Sequence, residues 1–267
     1  MPSLRIATWN INSVRLRIDL VRHFIESYRP DVLCLQETKC PDDRFPAKAF
    51  RELGFDYQAV HGQKGYHGLA TLSPIPFPED SRRTFCGKSY ARLVAVSFED
   101  DIVLHNFYVP AGGDVPDPKV NDKFAHKLEF LDETARWFKT RRGKSRNKYI
   151  LLGDLNIAPL ESDVWSHKQL LKVVSHTPVE VERLNTLQAS HRWVDVTRRD
   201  IPEPTRVYTW WSYRFPDWTR NDRGRRLDHI WVTPALDDRA HSIDVLRDAR
   251  GWKRPSDHVP VLMSLDV

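Results

Sequence analysis

Short apolar runs bounded by polar or turn-forming residues recur along the whole chain. Runs of this length that are rich in β-branched residues are typical of strands, and continuous apolar runs suit strands buried on both faces. The pattern predicts strands at residues 4–10, 32–35, 69–72, 93–98, 102–109, 149–152, 227–232 and 259–265.

Three other segments space apolar residues at intervals of three and four, which is the spacing of one helix face. Two of them predict helices at residues 120–140 and 179–189. The third, which lies between the first two strands, carries on one face Val14, Ile18, Val21, Ile25 and Tyr28. Asn12 and Ser13 are suitable cap residues for this helix, and Pro30 ends it.

Strands outnumber helices and are interspersed with them, which predicts an α/β layered architecture. No internal repeat, low-complexity tract or long linker divides the sequence, so we expect residues 1–267 to form a single domain. Two packed sheets with helices outside would account for so many short strands. A single wound sheet is equally compatible with the pattern alone.

Composition narrows the class of protein. Of the 267 residues, 40% are hydrophobic and nine are tryptophan, which is typical of an ordered globular protein. The 41 Lys and Arg exceed the 36 Asp and Glu, which gives a formal charge of +5 and a mild preference for polyanionic partners. Cys34, Cys40 and Cys86 are an odd set without zinc-site spacing, so a reducing environment is expected. With no secretory leader and no apolar run near the ~20 residues that cross a bilayer, we expect a cytoplasmic protein without membrane association.

Polar residues lie at the ends of five of the predicted strands. They are Asn10, Gln36 with Glu37, Asp154 with Asn156, Asp228 with His229, and Asp257 with His258. Each has an ordinary structural explanation when taken singly, because an acid after a strand commonly caps a helix or makes a turn. Five together indicate a site that is built by loops at one rim of the sheets.

Hard oxygen ligands without a cysteine cluster favour Mg²⁺, with Mn²⁺ as a substitute, over structural zinc. Magnesium commonly binds one or two carboxylates together with phosphate oxygens, which points to phosphate-ester chemistry. Such chemistry requires a metal-binding carboxylate, an acid to activate water, a histidine held by a second acid, and a phenol. The matching side chains are Glu37, Asp154, His258 with Asp228, and Tyr108.

The segment from Arg206 to Trp231 interleaves six further aromatic residues with five further arginines. Such a segment suits a nucleic-acid backbone and a space from which a base has been displaced. A buried aromatic cluster with a solvated charged face explains the same composition equally well.

Taken in order, these segments resemble the exonuclease III and apurinic/apyrimidinic endonuclease family, within the larger group of deoxyribonuclease-I-like phosphodiesterases. The resemblance extends from Arg5 to Leu265 and rests on segments 6–12, 35–39, 65–73, 106–110, 153–156, 208–213, 226–228 and 255–258. It implies a four-layer α/β sandwich of two packed, mostly antiparallel β-sheets flanked by α-helices, with the active site at one end of the sheets.

The resemblance also implies roles for side chains. The implied metal ligands are Glu37, Asn10 and Asp257, around either one or two ions. The implied catalytic residues are Tyr108, Asp154, Asn156, Asp228 and His258. Asp154 would position or deprotonate the attacking water, and His258, oriented by Asp228, would stabilise the phosphate.

The implied substrate is double-stranded DNA, cleaved on the 5′ side of abasic sites and trimmed at its 3′ ends by a monomeric bacterial enzyme. Trp210 and Leu227 match pocket positions for a sugar that has lost its base. Arg225 and Lys123 are expected to contact DNA. The apolar pocket would exclude a sugar that still carries its base by size.

The chain departs from its relatives at three positions. Ala111 stands where many relatives carry an amide, Asn12 where animal enzymes have an acid, and Arg225 where animal enzymes have tryptophan. We expect these changes to alter the balance between endonuclease and 3′-exonuclease activity. Two other functions stay open: a phosphoesterase of this scaffold acting on inositol phosphates or sphingomyelin, and a non-catalytic DNA-binding module.

Overall fold

Two packed β-sheets form the centre of the computed structural model, which describes residues 3–141, 147–215 and 217–267. The first sheet contains β1 (Ser3–Asn10), β2 (Val32–Gln36), β3 (Tyr57–His61), β4 (Leu69–Ser73), β13 (Ala240–Val245) and β14 (Val261–Asp266), in the order β13-β14-β1-β2-β4-β3. The second contains β5 (Glu79–Arg82), β6 (Leu93–Ser97), β7 (Ile102–Tyr108), β8 (Lys148–Asp154), β9 (Val194–Asp195) and β12 (Asp228–Val232), in the order β5-β6-β7-β8-β12-β9. A separate ribbon pairs β10 (Trp210–Trp211) with β11 (Gly224–Arg225). Among the described strands, β1 with β2 and β7 with β8 pair in parallel, and the other pairs are antiparallel.

Helices cover the outer face of each sheet. The described helices are α1 (Ile18–Tyr28), α2 (Ala47–Glu52), α3 (Asp122–Lys139), α4 (His167–Leu170), α5 (Pro178–Ser190), α6 (Val196–Asp200) and α7 (Trp218–Asn221). Helices α1 and α2 pack on the first sheet, and α3 and α5 pack on the second. The four-layer sandwich is therefore confirmed, and the single wound sheet is excluded.

The strands are continuously apolar because alternate residues face two different cores. On β8, Ile150 and Leu152 belong to the core between the sheets, and Leu151 packs under α3 and α5. On β2, Val32 faces the inner core and Leu33 faces α1 and α2. In the described part of the chain, no helix has both the length and the apolar composition that crossing a membrane requires.

Helix α1 begins later than the sequence predicts. Asn12 and Ser13 have φ values of 47° and 84° and lie in the loop before the helix, so the prediction that they cap it is wrong. The backbone N–H of Ser13 instead donates to the carbonyl of Glu37 at 2.8 Å. The loop is therefore held against the segment that follows β2, and this contact brings two predicted site segments together.

Candidate active site

Strand register places three of the predicted residues side by side at the ends of neighbouring strands. Asp154, the last residue of β8, pairs with Tyr108 of β7 on one side and with Asp228 of β12 on the other. In the first sheet, Asn10 pairs with Gln36 at the ends of β1 and β2. The two sheets therefore carry their polar strand ends to a common rim.

Glu37 lies where the two sheets meet. Its backbone is left-handed, with a φ of 51°, and this turn directs the segment back across the rim. Oε1 accepts hydrogen bonds from Asn10 Nδ2 at 2.9 Å and from the hydroxyl of Tyr108 at 2.8 Å, and Oε2 lies 2.8 Å from Lys39 Nζ. Burial acts to raise the pKa of Glu37, but the charge of Lys39 and these hydrogen bonds outweigh it and lower the pKa. The carboxylate is therefore ionised.

Asp154 is bound to Glu37 through a shared donor. Asn10 Nδ2 also donates to Asp154 Oδ2 at 2.9 Å, and Asn156 donates its backbone N–H to Oδ1 at 2.9 Å and its Nδ2 to Oδ2 at 3.2 Å. Burial raises the pKa of Asp154 to about 7, against the opposing charge of His258. A carboxylate that titrates near neutral pH is suited to general-base catalysis.

His258 and Asp228 form a buried pair beside Asp154. The Nδ1 atom of His258 lies 2.8 Å from Asp228 Oδ2, which also accepts the hydroxyl of Thr209 at 2.6 Å, and Nε2 lies 3.7 Å from Asp154 Oδ2. Burial acts to lower the pKa of His258, but the charges of Asp228 and Asp154 raise it to about 10. At neutral pH the ring is therefore an imidazolium that presents a positive edge to the rim.

Tyr108 remains a protonated hydrogen-bond donor. Burial raises the pKa of its phenol well above the usual value, and the charges of Glu37 and Asp154 act in the same direction. The guanidinium of Arg92 lies 4.9 Å from the centre of the Tyr108 ring, and its Nη1 donates to the Tyr108 carbonyl at 3.0 Å. Arg92 thus packs against the Tyr108 ring, and the Tyr108 hydroxyl donates its hydrogen bond to Glu37.

Asp257 joins the same network through an intermediate residue. Its Oδ1 accepts Asn12 Nδ2 at 3.0 Å, and Asn12 Oδ1 in turn lies 2.5 Å from Lys39 Nζ. Glu37, Asn10 and Asp257 supply only oxygen ligands, which is the donor chemistry that Mg²⁺ prefers. The residues at the rim therefore fit a magnesium ion.

A second group of ligand atoms lies beside this set. One ligand atom each from Asp154, Asp228 and His258 lies within 4.8 Å of the other two. Asp228 Oδ1 is buried and has no hydrogen-bond partner among the described residues. This acidic and histidine cluster is thus a candidate site for a divalent ion as well, although two of its members already bond to each other.

The rim opens into a cavity of about 610 Å³ that both apolar and charged side chains line. Glu37, Asn156 and His258 line it together with Trp210 and Leu227. Its remaining apolar lining includes Trp165, Leu170, Val173 and Val174. Two of the predicted DNA-contacting residues therefore lie directly beside the catalytic candidates.

Arg225 lines the same cavity and is fixed by three contacts. Its guanidinium lies 5.2 Å from the Trp210 ring, and its Nη1 donates to the carbonyl of Val174 at 3.0 Å and to the hydroxyl of Ser175 at 2.7 Å. It thus joins the β10–β11 ribbon to the loop before α5.

Lys123 lies apart from these three residues. It is exposed in the first turn of α3 and lines a neighbouring cavity of about 590 Å³ on the other side of Tyr108. That cavity also contains the side chains of Lys39, Lys88 and Arg92. Lys123 is therefore placed to act on a different part of a ligand from Trp210.

Some strand-end residues have the ordinary structural role that the sequence left open. Gln36 lies between the sheets, where its Nε2 donates to Thr8 Oγ1 at 2.9 Å and to Asn106 Oδ1 at 2.8 Å. His229 is buried and its Nε2 contacts the carbonyl of Ile157 at 2.8 Å. Neither side chain reaches the rim.

The sequence did not indicate a role for Lys39, Thr209 or Arg92, each of which contacts a candidate metal-binding or catalytic residue. Lys39 follows Glu37 by two positions and Thr209 precedes Trp210, so proximity to predicted residues was the available signal. Arg92 had no such signal, because its contact with Tyr108 comes from the pairing of β6 with β7.

Comparisons with known proteins identify the family and the fold. The Endonuclease/Exonuclease/phosphatase family matches residues 7–258. Exodeoxyribonuclease III of Haemophilus influenzae is 30% identical over 271 residues, which cover 97% of this chain and 98% of that protein. The structure of the 3′ phosphatase NExo from Neisseria, solved bound to a product DNA hairpin, superposes with a TM-score of 0.90 at 29% identity. The match covers 99% of this chain and 100% of the NExo chain. An AP endonuclease from Archaeoglobus fulgidus has a TM-score of 0.91, with the same identity and coverage.

Proposed function

The chain belongs to the endonuclease/exonuclease/phosphatase family, and on that premise we propose that it is a DNA-repair nuclease that hydrolyses phosphodiester bonds. We propose in particular that it cleaves duplex DNA on the 5′ side of abasic sites and removes nucleotides or blocking groups from 3′ ends. Relatives with exodeoxyribonuclease III, AP endonuclease and 3′ phosphatase activities in their names support this choice. The predictions of a single domain, a monomer and a cytoplasmic, bacterial setting belong to the same proposal.

One observation carries the proposal. Glu37, Asn10 and Asp154 form a continuous hydrogen-bonded chain that runs across the ends of both sheets. Beside it, the imidazolium of His258 faces the same cavity as Trp210. A metal-binding carboxylate and a fixed cation thus border a space large enough for a sugar phosphate, and the buried base Asp154 lies directly behind both. This is the set that phosphodiester hydrolysis requires.

We assign Mg²⁺, with Mn²⁺ as a substitute, to Glu37, Asn10 and Asp257, as one ion or as one of two. When bound, the ion would neutralise charge on the phosphate oxygens and orient them. The ionised state of Glu37 supports this assignment.

The remaining chemistry belongs to the side chains of the protein. Asp154 accepts a proton from the attacking water, and its raised pKa suits that transfer. Asn156 holds the carboxylate in place through two hydrogen bonds and also donates to the carbonyl of Val109 at 2.9 Å. The base is thus held in one orientation before substrate arrives, which lowers the entropic cost of the reaction.

His258 and Tyr108 stabilise the charge that develops on the phosphate. The imidazolium is held by Asp228, so its Nε2–H points away from the pair toward the rim. Tyr108 keeps its proton and donates a hydrogen bond to the phosphate or to the leaving oxygen. Donors that are fixed in advance at the site of charge development typically contribute about 2.7–4 kcal/mol each to the transition state.

The cavity beside Trp210 supports recognition of a sugar that has lost its base. Trp210 and Leu227 offer apolar surface, and the fixed guanidinium of Arg225 borders it. Lys123 and the basic cavity that it lines are suited to phosphates further along the strand. Selection of the lesion would then be steric, and affinity for the backbone would be electrostatic.

An end-labelled duplex with one abasic site tests the proposal directly. The protein should cut 5′ to the site with Mg²⁺ and stop with EDTA, and Glu37→Ala and His258→Ala should slow cleavage by orders of magnitude with smaller effects on DNA binding. His241→Ala is a matched control, because His241 is a surface residue bonded to Asp266 on β14. Wild-type rates in both active-site variants would overturn the proposal, and hydrolysis of inositol polyphosphates alone would reassign the substrate.

A further inference from the structure

A cysteine, a histidine and a glutamate converge outside the active site. His126 and Glu129 are three residues apart on α3 and therefore lie on one face of the helix. Cys86 lies in the segment between β5 and β6 that packs against this face. One ligand atom from each of the three side chains lies within 4.8 Å of the other two.

His126 shows why this group needs a ligand. Its side chain is 8% exposed, and neither ring nitrogen has a hydrogen-bond partner within the described ranges. A buried polar group without a partner commonly costs about 1–3 kcal/mol. Its ring contacts are with Tyr90 and Phe130, which satisfy its faces but not its nitrogens.

We propose that Cys86, His126 and Glu129 form a binding site for one Zn²⁺ ion. Thiolate, imidazole and carboxylate are all ligands of zinc, and three protein ligands with a water in the fourth position is a common zinc arrangement. Zinc bonds of about 2.0–2.3 Å require ligand atoms on the order of 3.5 Å apart. Small side-chain rotations from the present separations are sufficient, and the exposed Glu129 is free to make one of them.

The surroundings set the protonation states of the cysteine and the histidine. Burial raises the pKa of the Cys86 thiol to about 12, and the charges of Glu129 and Glu133 add to it, so the thiol is neutral until a metal displaces its proton. Burial lowers the pKa of His126 to about 4, with Lys88 acting in the same direction, so the ring is already in the neutral form that binds metal. Glu133 Oε2 accepts the backbone N–H of Cys86 at 2.6 Å, which holds the cysteine segment against α3.

This site uses different residues and different chemistry from the proposed magnesium site, and of its three ligands His126 also lines the basic cavity beside Tyr108. A thiolate and an imidazole select zinc over Mg²⁺, whereas the donors around Glu37 are all oxygens. A bound zinc would link the first half of α3 to the β5–β6 segment. It should therefore stabilise the fold without replacing the catalytic ion.

Binding of Zn²⁺ and Co²⁺ to the chelator-treated full-length protein, in buffer that contains Mg²⁺, tests the inference. We expect one equivalent of Co²⁺ to give a near-ultraviolet thiolate-to-cobalt band, Zn²⁺ to abolish it by competition, and Zn²⁺ to raise the melting temperature. Cys86→Ser should remove the band. Glu129→Gln should weaken Zn²⁺ affinity by at least about tenfold, because loss of even a residue that only supports a metal ligand typically costs about 10–100-fold. Glu129 is exposed, so its variant should fold even if Cys86→Ser does not.

Two controls separate this site from the rest of the molecule. Cys40→Ser removes a different free thiol, and Glu37→Gln changes the active site, so the cobalt band should survive in both. An unchanged band in Cys86→Ser, unchanged affinity in Glu129→Gln, or no zinc binding by the wild type would overturn the inference.

Discussion

Replacing Asp228 with asparagine removes the negative charge that faces His258 while it keeps the shape of the side chain. In the wild type, Asp228 Oδ2 lies 2.8 Å from His258 Nδ1, and the pKa of the histidine is raised to about 10. The proposed mechanism needs the protonated ring. Because Asp154 must also be ionised, the rate should rise as pH passes about 7, level off, and fall as pH rises through the pKa of His258.

The size of the change follows from the contact. A hydrogen bond to a charged group contributes about 1.5–3 kcal/mol, and about 1.36 kcal/mol corresponds to one pKa unit. Loss of the charge of Asp228 should thus lower the pKa of His258 by about one to two units, to about 8–9. The nearby Asp154, at 3.7 Å, remains in the variant and keeps the pKa from falling further.

The pH dependence of single-turnover cleavage of an abasic duplex measures this shift. The alkaline limb should move to lower pH in Asp228→Asn, and an NMR titration of the His258 ring should report the same displacement without substrate. Asp132→Asn is the matched control, since Asp132 forms a surface ion pair with Arg183 at 3.3 Å. An alkaline limb that stays in place while the histidine pKa falls would show that catalysis does not depend on the imidazolium.

Three further predictions concern stability and binding. Lys127→Met leaves the fully buried Glu180 without its ion-pair partner, whose Nζ lies at 2.5 Å. Urea denaturation should therefore show that the free energy of unfolding falls by about 3–5 kcal/mol. Adding Glu180→Gln to the same chain should restore part of it. His105 is buried and its pKa is lowered to about 3, so the unfolded state takes up a proton first as pH falls. Between pH 6.5 and pH 4.5 the free energy of unfolding should therefore fall by about 2–3 kcal/mol. This contribution to the pH dependence should be missing in His105→Phe. Affinity for duplex DNA should decrease as salt rises, with a shallower slope in Lys123→Ala, and a flat profile in the wild type would contradict a DNA groove.

Most of the central strands and the longer helices could be predicted from the sequence, because buried segments have a distinct apolar pattern. Strands such as β2 and β8 are buried on both faces, so their apolar runs stand out. Helix α3 shows a clear apolar stripe, and α5 shows a weaker one. The strands that pattern reasoning missed include β3, β5 and β13, which lie at sheet edges. All four residues of β5 are exposed, so no apolar signal marks it. Edge strands are held by backbone pairing, which leaves little trace in side-chain composition.

The sequence by itself determined which residues lie at the two ends of the central strands, and therefore which acids, amides and histidine can reach the rim. Only the tertiary structure decided that Asp154 lies between Tyr108 and Asp228, because the register of β7, β8 and β12 is set by pairing between segments far apart in the chain. The same holds for Arg92 against Tyr108 and for Cys86 against His126. The hydrophobic pattern of a segment shows which of its residues are buried. Contacts between loops depend instead on how the two sheets pack, and the candidate sites of this protein are formed by such contacts.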